Sequence, residues 1–246
     1  MDTKPIRPWR VADSMHACSH HPYAQAPAGR QRHAPCHCLE RHCHDTAFVT
    51  VVLGGSYLEA GDEGRYTVEA GDALVHRAFE SHLDCFSARG ADVLIIPMPA
   101  TARLPVHGRV RDADALMRIA ENSPSDAWPA FAEAFVPDDS GHHDWPDLLA
   151  RNLREQPDIS LAQWAEDMGL RMESVSRGFR KAYGSSPKAY RAQARARAAW
   201  EAIRGSSLAM GRLATDLGFS DQAHMSRAVR GLTGHMPHAW RMAAVA

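Results

Sequence analysis

Long apolar runs are missing from this sequence. No stretch approaches the roughly 18–20 consecutive apolar residues that a membrane helix requires. The first twenty residues, MDTKPIRPWRVADSMHACSH, lack the apolar segment of an export signal. Neither a membrane-spanning nor a secreted protein is expected, and a cytoplasmic location is. Enzyme signatures are also missing: no P-loop, no Rossmann glycine pattern and no Ser-His-Asp motif is apparent. Cysteine is scarce and odd in number, five in 246 residues, all within the first 85. An odd count without an export signal argues for reduced thiols. Net charge is only −1, and 45% hydrophobic with 23% charged residues excludes wholesale disorder or a low-complexity architecture.

The near-zero charge conceals a division. Residues 147–246 hold 15 Lys and Arg against 9 Asp and Glu, whereas residues 1–146 hold 13 against 20. From Met168 onward the excess sharpens to 13 against 4. Such polarity implies two domains, the second facing a polyanion. Histidine leans the other way, with ten of fifteen before residue 108.

The basic half contains a repeat. Residues 176–191, SRGFRKAYGSSPKAYR, recur fifty positions later as SRAVRGLTGHMPHAWR, with seven identities in sixteen positions and no gap. An apolar stripe at helical spacing precedes each copy: Leu161, Trp164, Ala165 and Met168, then Met210, Leu213, Ala214 and Leu217. Gly169 and Gly218 follow where a helix end needs a left-handed residue, and Gly184 and Gly234 close the next helices in the same way. Pro187 and Pro237 then open further helices. Helix, glycine turn, helix is the helix-turn-helix pattern. The Ala- and Arg-rich segment from Pro187 to Arg204 is expected to be one continuous helix holding the two units apart.

On these residues, together with Phe219, Tyr190-Arg191 and Trp240-Arg241, the region from about Pro146 onward resembles the AraC/XylS family DNA-binding domain. Val229 stands where that family usually has Phe, and Arg171 where it usually has a capping Ser or Thr. An Arg cannot accept the capping hydrogen bond, so a weaker start to the first reading helix is expected. The resemblance implies base reading by Glu173, Ser174, Ser176 and Arg177 in one unit. In the other it implies Gln222, Ala223, His224, Ser226 and Arg227. Arg suits guanine, Gln suits adenine, and Glu favours a cytosine amino group. Arg180, Lys181, Lys188, Arg191, Arg195, Arg197, Arg230 and Arg241 are expected on phosphates. The partners implied are double-stranded promoter DNA, RNA polymerase and an effector, with a homodimer left open.

The first half reads as strands. Phe48–Leu53, Arg65–Val68, Ala73–Val75 and Asp92–Ile96 are β-rich runs, punctuated by Gly54-Gly55, Gly61–Gly64, Gly71-Asp72 and Arg89-Gly90. Short strands with glycine turns imply an antiparallel barrel or sandwich. His42-Cys43-His44, Gly71-Asp72 and His82 resemble a cupin barrel, although the glutamate of that family's first motif is absent and Phe48 lies near its place. His42 and His44 share a strand face. With His82 or Cys85 they form a candidate site for Zn or another transition metal. His33, Cys36, His37 and Cys38 add soft ligands upstream, and thiol sensing by Cys36, Cys38 or Cys43 is an alternative.

Ala113–Ile119 and Trp128–Phe135 have helical periodicity, and residues 137–143 read as a loop. The expected organisation is α+β with two domains. Residues 1–30 form a poorly ordered segment and 31–103 a cupin-like sensing barrel. Residues 104–146 form a helical or linker region open to dimerisation, and 147–246 an all-α domain of two helix-turn-helix units joined by a long helix. A regulator rather than an enzyme is expected. The alternatives are a cupin metalloenzyme fused to a DNA-binding domain, or a Cys/His metal or redox sensor.

Overall fold

The computed structural model describes residues 28–156 and 158–243. The expectation of poor order for residues 1–30 lies mostly outside them, but Gly29 and Arg30 already belong to a strand.

Among the described residues the N-terminal half holds one antiparallel sheet of eight strands: β1 (Gly29–His33), β2 (Cys38–Cys43), β3 (Phe48–Ala60), β4 (Arg65–Glu69), β5 (Asp72–His76), β6 (Ser81–Pro97), β7 (His107–Val110) and β8 (Phe135–Pro137). The strand order is β1-β6-β3-β5-β7-β8, with β2 also on β6 and β4 on β3. The middle of the sheet is buried on both faces, so Phe48–Val52 is buried throughout instead of alternately, with Thr50 its one polar residue. Val49, Val51, Val75, Leu94 and Ile96 pack toward Leu116 of α1 (Ala113–Asn122) and Phe131 of α2 (Pro124–Ala134). Phe48, Val52, Tyr57, Leu74, Phe86 and Val93 form the core of the opposite face.

Gly54-Gly55 and Arg89-Gly90 were expected as turns. Both instead lie inside long strands, where the register of β3 on β6 shifts between Val52 and Gly54 and again between Gly55 and Tyr57. Gly55 has φ +75°, and a Cβ there would sit 2.1 Å from the Gly90 carbonyl oxygen. These glycines permit bulges and close backbone approach. The sheet also extends past residue 103, because β7 pairs with β5 and β8 with β7. Residues 104–137 therefore belong to the sheet unit instead of forming a separate linker. The polar strands β1 and β2 had no alternating apolar signal to reveal them.

The C-terminal half is helical: α3 (Trp145–Glu155), α4 (Leu161–Asp167), α5 (Met172–Tyr183), α6 (Pro187–Gly205), α7 (Met210–Asp216), α8 (Gln222–Thr233) and α9 (Pro237–Ala243). The repeat maps onto α4–α5 and α7–α8, and α6 is the expected continuous connector. Its 19 residues span roughly 28 Å at the usual helical rise. Trp164, Ala165, Leu213 and Ala214 are buried as the stripes predict, but Met168 is 40% exposed. It occupies the C-cap of the short helix α4, past the turn that faces the core.

The two halves are packed together. Ala60 joins the core of the first helix-turn-helix unit, with Leu83 against it. Phe79 joins the core of the second, beside Trp200, Ile203, Leu213 and Met225.

Candidate nucleic-acid interface and histidine site

In each unit the buried side of the second helix fixes which residues remain outside. Val175, Phe179 and Tyr183 of α5 are fully buried, as are Met225 and Val229 of α8. Glu173, Ser176, Arg177, Arg180 and Lys181 are thereby exposed, with Ser174 half-buried. On α8, Gln222, Ala223, His224, Arg227 and Arg230 are exposed and Ser226 is half-buried. Gln222, Ala223, Ser226, Arg227 and Arg230 line an open groove together with Met236.

The two helix starts differ chemically. Asp221 caps α8, its Oδ1 accepting the His224 N–H at 2.6 Å. That bond, first among several contacts, holds the Asp221 carboxyl below its ordinary pKa. Arg171 stands at the same place on α5 and its side chain makes no capping bond. Gly184 and Gly234 close the helices at φ +67° and +75°.

The predicted phosphate contacts divide into two groups. Arg180, Lys181, Lys188 and Arg230 are exposed. Arg197 is not: it is buried, 3.1 Å from Glu63 and 3.7 Å from Asp62, and its assignment to phosphate is corrected. Arg195 donates to the Gly218 carbonyl at 2.8 Å, lies 3.9 Å from Asp158 and covers the Phe219 ring, so it braces the two units against each other. Arg191 and Arg241 are half-buried, with guanidinium nitrogens out of solvent. An Ala-rich helix exposes one face only, and the sequence did not reveal which arginines meet acids from the distant sheet.

The fold brings the three predicted histidines together, His42 on β2, His82 on β6 and His44 just past the end of β2 instead of on a shared strand face. His42 and His82 are register partners across β2 and β6. The candidate ligand atoms of His42, His44 and His82 all lie within 4.8 Å of one another. A tetrahedral zinc site needs nitrogens roughly 3.4 Å apart at ordinary Zn–N lengths, so the rings would have to close on an ion. Two observations fit a metal. His82 Nδ1 is buried with no hydrogen-bond partner. His42 Nδ1 lies 2.8 Å from the Glu40 carbonyl oxygen, which selects the tautomer whose Nε2 carries a lone pair. Burial, then the neighbouring His76, His42 and His44, drives the His82 pKa well below its ordinary value, keeping the ring in the neutral form a metal needs.

Cys85 does not join this cluster. It is disulfide-bonded to Cys38, its register partner, which corrects the expectation of reduced thiols for this pair. Cys36 and Cys43 remain as thiols.

Sequence reasoning missed three buried groups beside the histidines. His76 lies 3.6 Å from Glu59 and 4.7 Å, ring to ring, from His82. Burial, then His44 and His42, pushes its pKa down to about 3. Glu59 and Asp84 are register partners. Burial raises both carboxyls, Asp84 to about 7. The available signal was spacing: His82 and Asp84, like Tyr57 and Glu59, share a strand face.

Also missed was the ionic seam between the halves. Asp62, 2% exposed, pairs with Arg41 and accepts the Ser81 N–H at 3.1 Å. Its carbonyl oxygen accepts from the Tyr190 hydroxyl at 2.7 Å and from Arg154. Arg65 binds Asp147 through two bonds of 2.9 and 3.0 Å and also pairs with Asp144, while the Tyr183 hydroxyl donates to Asp147 at 2.7 Å.

Residues 164–243 match the family model described as a helix-turn-helix domain. Among solved structures, ToxT from Vibrio cholerae bound to an unsaturated fatty acid is 9% identical, with 87% of this chain and 94% of that chain covered and a TM-score of 0.40. The DNA-binding domain of AdpA in complex with a target DNA is 21% identical over 41% of this chain and 93% of that one, TM-score 0.38. A probable AraC family regulator from Rhodopseudomonas palustris CGA009 is 20% identical over 39% and 97%, TM-score 0.35. No curated protein matches the chain in sequence.

Proposed function

We infer that this chain, whose residues 164–243 form an AraC-type helix-turn-helix domain, is a DNA-binding transcriptional regulator whose sheet domain senses a transition metal. The observation that carries DNA binding is the pair of second helices. Each buries its apolar side and exposes an N-terminal turn of polar and basic residues. Such turns read base edges in the major groove. Glu173, Ser174, Ser176 and Arg177 are the proposed readers on α5, and Gln222, Ala223, His224, Ser226 and Arg227 those on α8. Arg180, Lys181, Lys188 and Arg230 position the chain on phosphates. Promoter DNA and RNA polymerase are the partners this function entails. Among the described residues no helix is long and apolar enough to cross a membrane.

His42, His44 and His82 would hold the metal, and three imidazoles select Zn, Ni or Cu over Mg or Ca. A bound ion would pull on β2 and β6, already paired, through the three rings. The test is zinc or nickel titration of the full chain with metal content measured after dialysis, followed by anisotropy on a duplex that the chain enriches from a random library. One ion per chain, lost in His42→Ala and His82→Ala, together with altered DNA affinity, supports the reading. Metal binding unaffected by either substitution would remove these histidines, and absence of selective enrichment would remove DNA reading.

The Cys38–Cys85 bond favours a second reading, a thiol–disulfide sensor. A DNA affinity that follows a dithiol reductant but not metal would select it.

A further inference from the structure

The histidine cluster and the domain seam are two faces of one ladder. Next to the bulge in β2, Arg41 turns to the seam side, where its Cβ lies with the Leu83 side chain beside Gly184, whereas His42 pairs with His82; on β6 Ser81 and His82 point to opposite sides. His42 and His82 face each other as register partners. Their immediate neighbours both bind one residue, Asp62: Arg41 through its guanidinium and Ser81 through its N–H. Asp62 is in turn held from the helical domain by Tyr190 and Arg154 through its carbonyl and by Arg197 at 3.7 Å. Arg41 also reaches α6 directly, 3.3 Å from Gln193 Oε1 and over the Tyr190 ring.

The third histidine has its own connection. The His44 carbonyl accepts the Phe79 N–H at 2.7 Å. The Phe79 ring is buried edge-on against Trp200 of α6 and Trp240 of α9, with centroids 4.9 and 5.7 Å away. Every histidine of the cluster is thus within one residue or one hydrogen bond of a side chain or backbone group engaged with the helical domain.

We propose that Arg41 and Phe79 are positioning residues that transmit metal occupancy of His42, His44 and His82 to α6, the helix that sets the spacing of the two DNA-reading units. The proposal rests on the metal reading given above. An ion drawing the three rings together shifts β2 and the start of β6, and packed or hydrogen-bonded groups pass such shifts on because they have few alternative arrangements. The connection through Asp62 survives loss of Arg41 as a fold element, since Arg197 and Ser81 still neutralise or bond its carboxylate.

The experiment uses the full chain with zinc as probe and the enriched duplex as reporter. In the wild type zinc is expected to change DNA affinity by about 5–150-fold, the usual range of coupling between sites, and in Arg41→Met, which keeps the Phe79 connection, by a factor at least about threefold smaller. Arg41→Met should still bind one zinc, and Arg41→Lys should restore part of the response. A full response in Arg41→Met overturns the proposal. A wild type that binds no zinc defeats the metal reading instead, and a second arm then decides the transmission without metal. His82→Gln is measured in wild-type and Arg41→Met backgrounds: a different effect on DNA affinity in the two supports the connection, and the same effect refutes it. Should Arg41→Met lose its far-ultraviolet dichroism, Phe79→Leu takes its place in both arms under the same criteria.

Discussion

Phe79 is the residue by which the sheet domain enters the core of the second helix-turn-helix unit, and truncating it should separate the two halves energetically. The side chain is 2% exposed and belongs to a cluster with Ala199, Trp200, Ile203, Leu213 and Met225. Removing a buried Phe side chain costs about 3–5 kcal/mol through lost burial and the cavity left behind. The two edge-on tryptophan contacts place Phe79→Ala in the upper part of that range. The backbone supplies a second signature. Phe79 has φ +58°, a conformation that costs any residue with a Cβ roughly 1–2 kcal/mol. Phe79→Gly is therefore expected to be no less stable than Phe79→Ala, the reverse of the order in an ordinary helix or strand. Urea unfolding followed by tryptophan fluorescence and by far-ultraviolet dichroism reads both effects. The two probes should diverge in Phe79→Ala, because Trp200 and Trp240 lose their partner while the sheet persists. A destabilisation under about 1 kcal/mol, within the range of ordinary surface substitutions, would show that this loop is not seated on the helical domain.

Arg227→Ala should weaken binding to the enriched duplex by about 1–3 kcal/mol and relax preference at one base position; unchanged affinity and preference by anisotropy would remove it from the readers. Arg171→Ser supplies the missing cap of α5 and should raise stability by about 0.5–1 kcal/mol, whereas Asp221→Ala should lower the melting temperature and speed amide exchange at the start of α8. A melting temperature unchanged in both would refute the capping difference. Asp147 sets an acid limit. Burial alone would raise its pKa, but hydrogen bonds from Arg65, with Asp144 and Tyr183 contributing, hold it below the ordinary 3.8. Its stabilisation is complete above that value and is lost as pH falls below it. Asp147→Asn should therefore flatten stability against pH below about 4, and an equally steep acid limb would contradict the assignment.

The helical domain was legible because its signals agree. Stripe, glycine, proline and charge recur in register, and Gly169, Gly184, Gly218 and Gly234 have the left-handed backbone their positions require. The sheet was harder to read. Gly54-Gly55 has the composition of a turn, and only the partner strand makes it a bulge. Arg, Gln, Glu and His in β1 and β2 carry no alternation, because among the described residues each of these strands pairs with β6 alone. His42, His44 and His82 were found by spacing, whereas His76, Glu59 and Asp84 look in sequence like polar residues on a solvated strand face. Their burial follows from the strands and side chains that tertiary folding stacks over them, including the register partners Glu59 and Asp84. The same limit explains Arg197: its acids, Asp62 and Glu63, lie more than 130 positions away.

That seam changes how the charge division bears on DNA binding. Part of the basic excess of the second half is neutralised by acids of the first, as Arg154 and Arg197 meet Glu63. Of the ten Lys and Arg assigned to DNA from sequence, six are exposed: Arg177, Arg180, Lys181, Lys188, Arg227 and Arg230. Each phosphate neutralised contributes about −0.9 to the slope of log affinity against log salt concentration. Ten contacts would give about −9, and six about −5, or nearer −3.5 if Arg177 and Arg227 bind bases. Anisotropy of one chain on its enriched duplex, titrated from low to physiological salt, should return a slope between about −3.5 and −5.5. A slope of about −9 would mean that all four of the others, Arg191, Arg195, Arg197 and Arg241, reach phosphate, with Arg195 and Arg197 leaving their protein partners to do so. The seam would then be a feature of the free chain alone, opened when DNA binds.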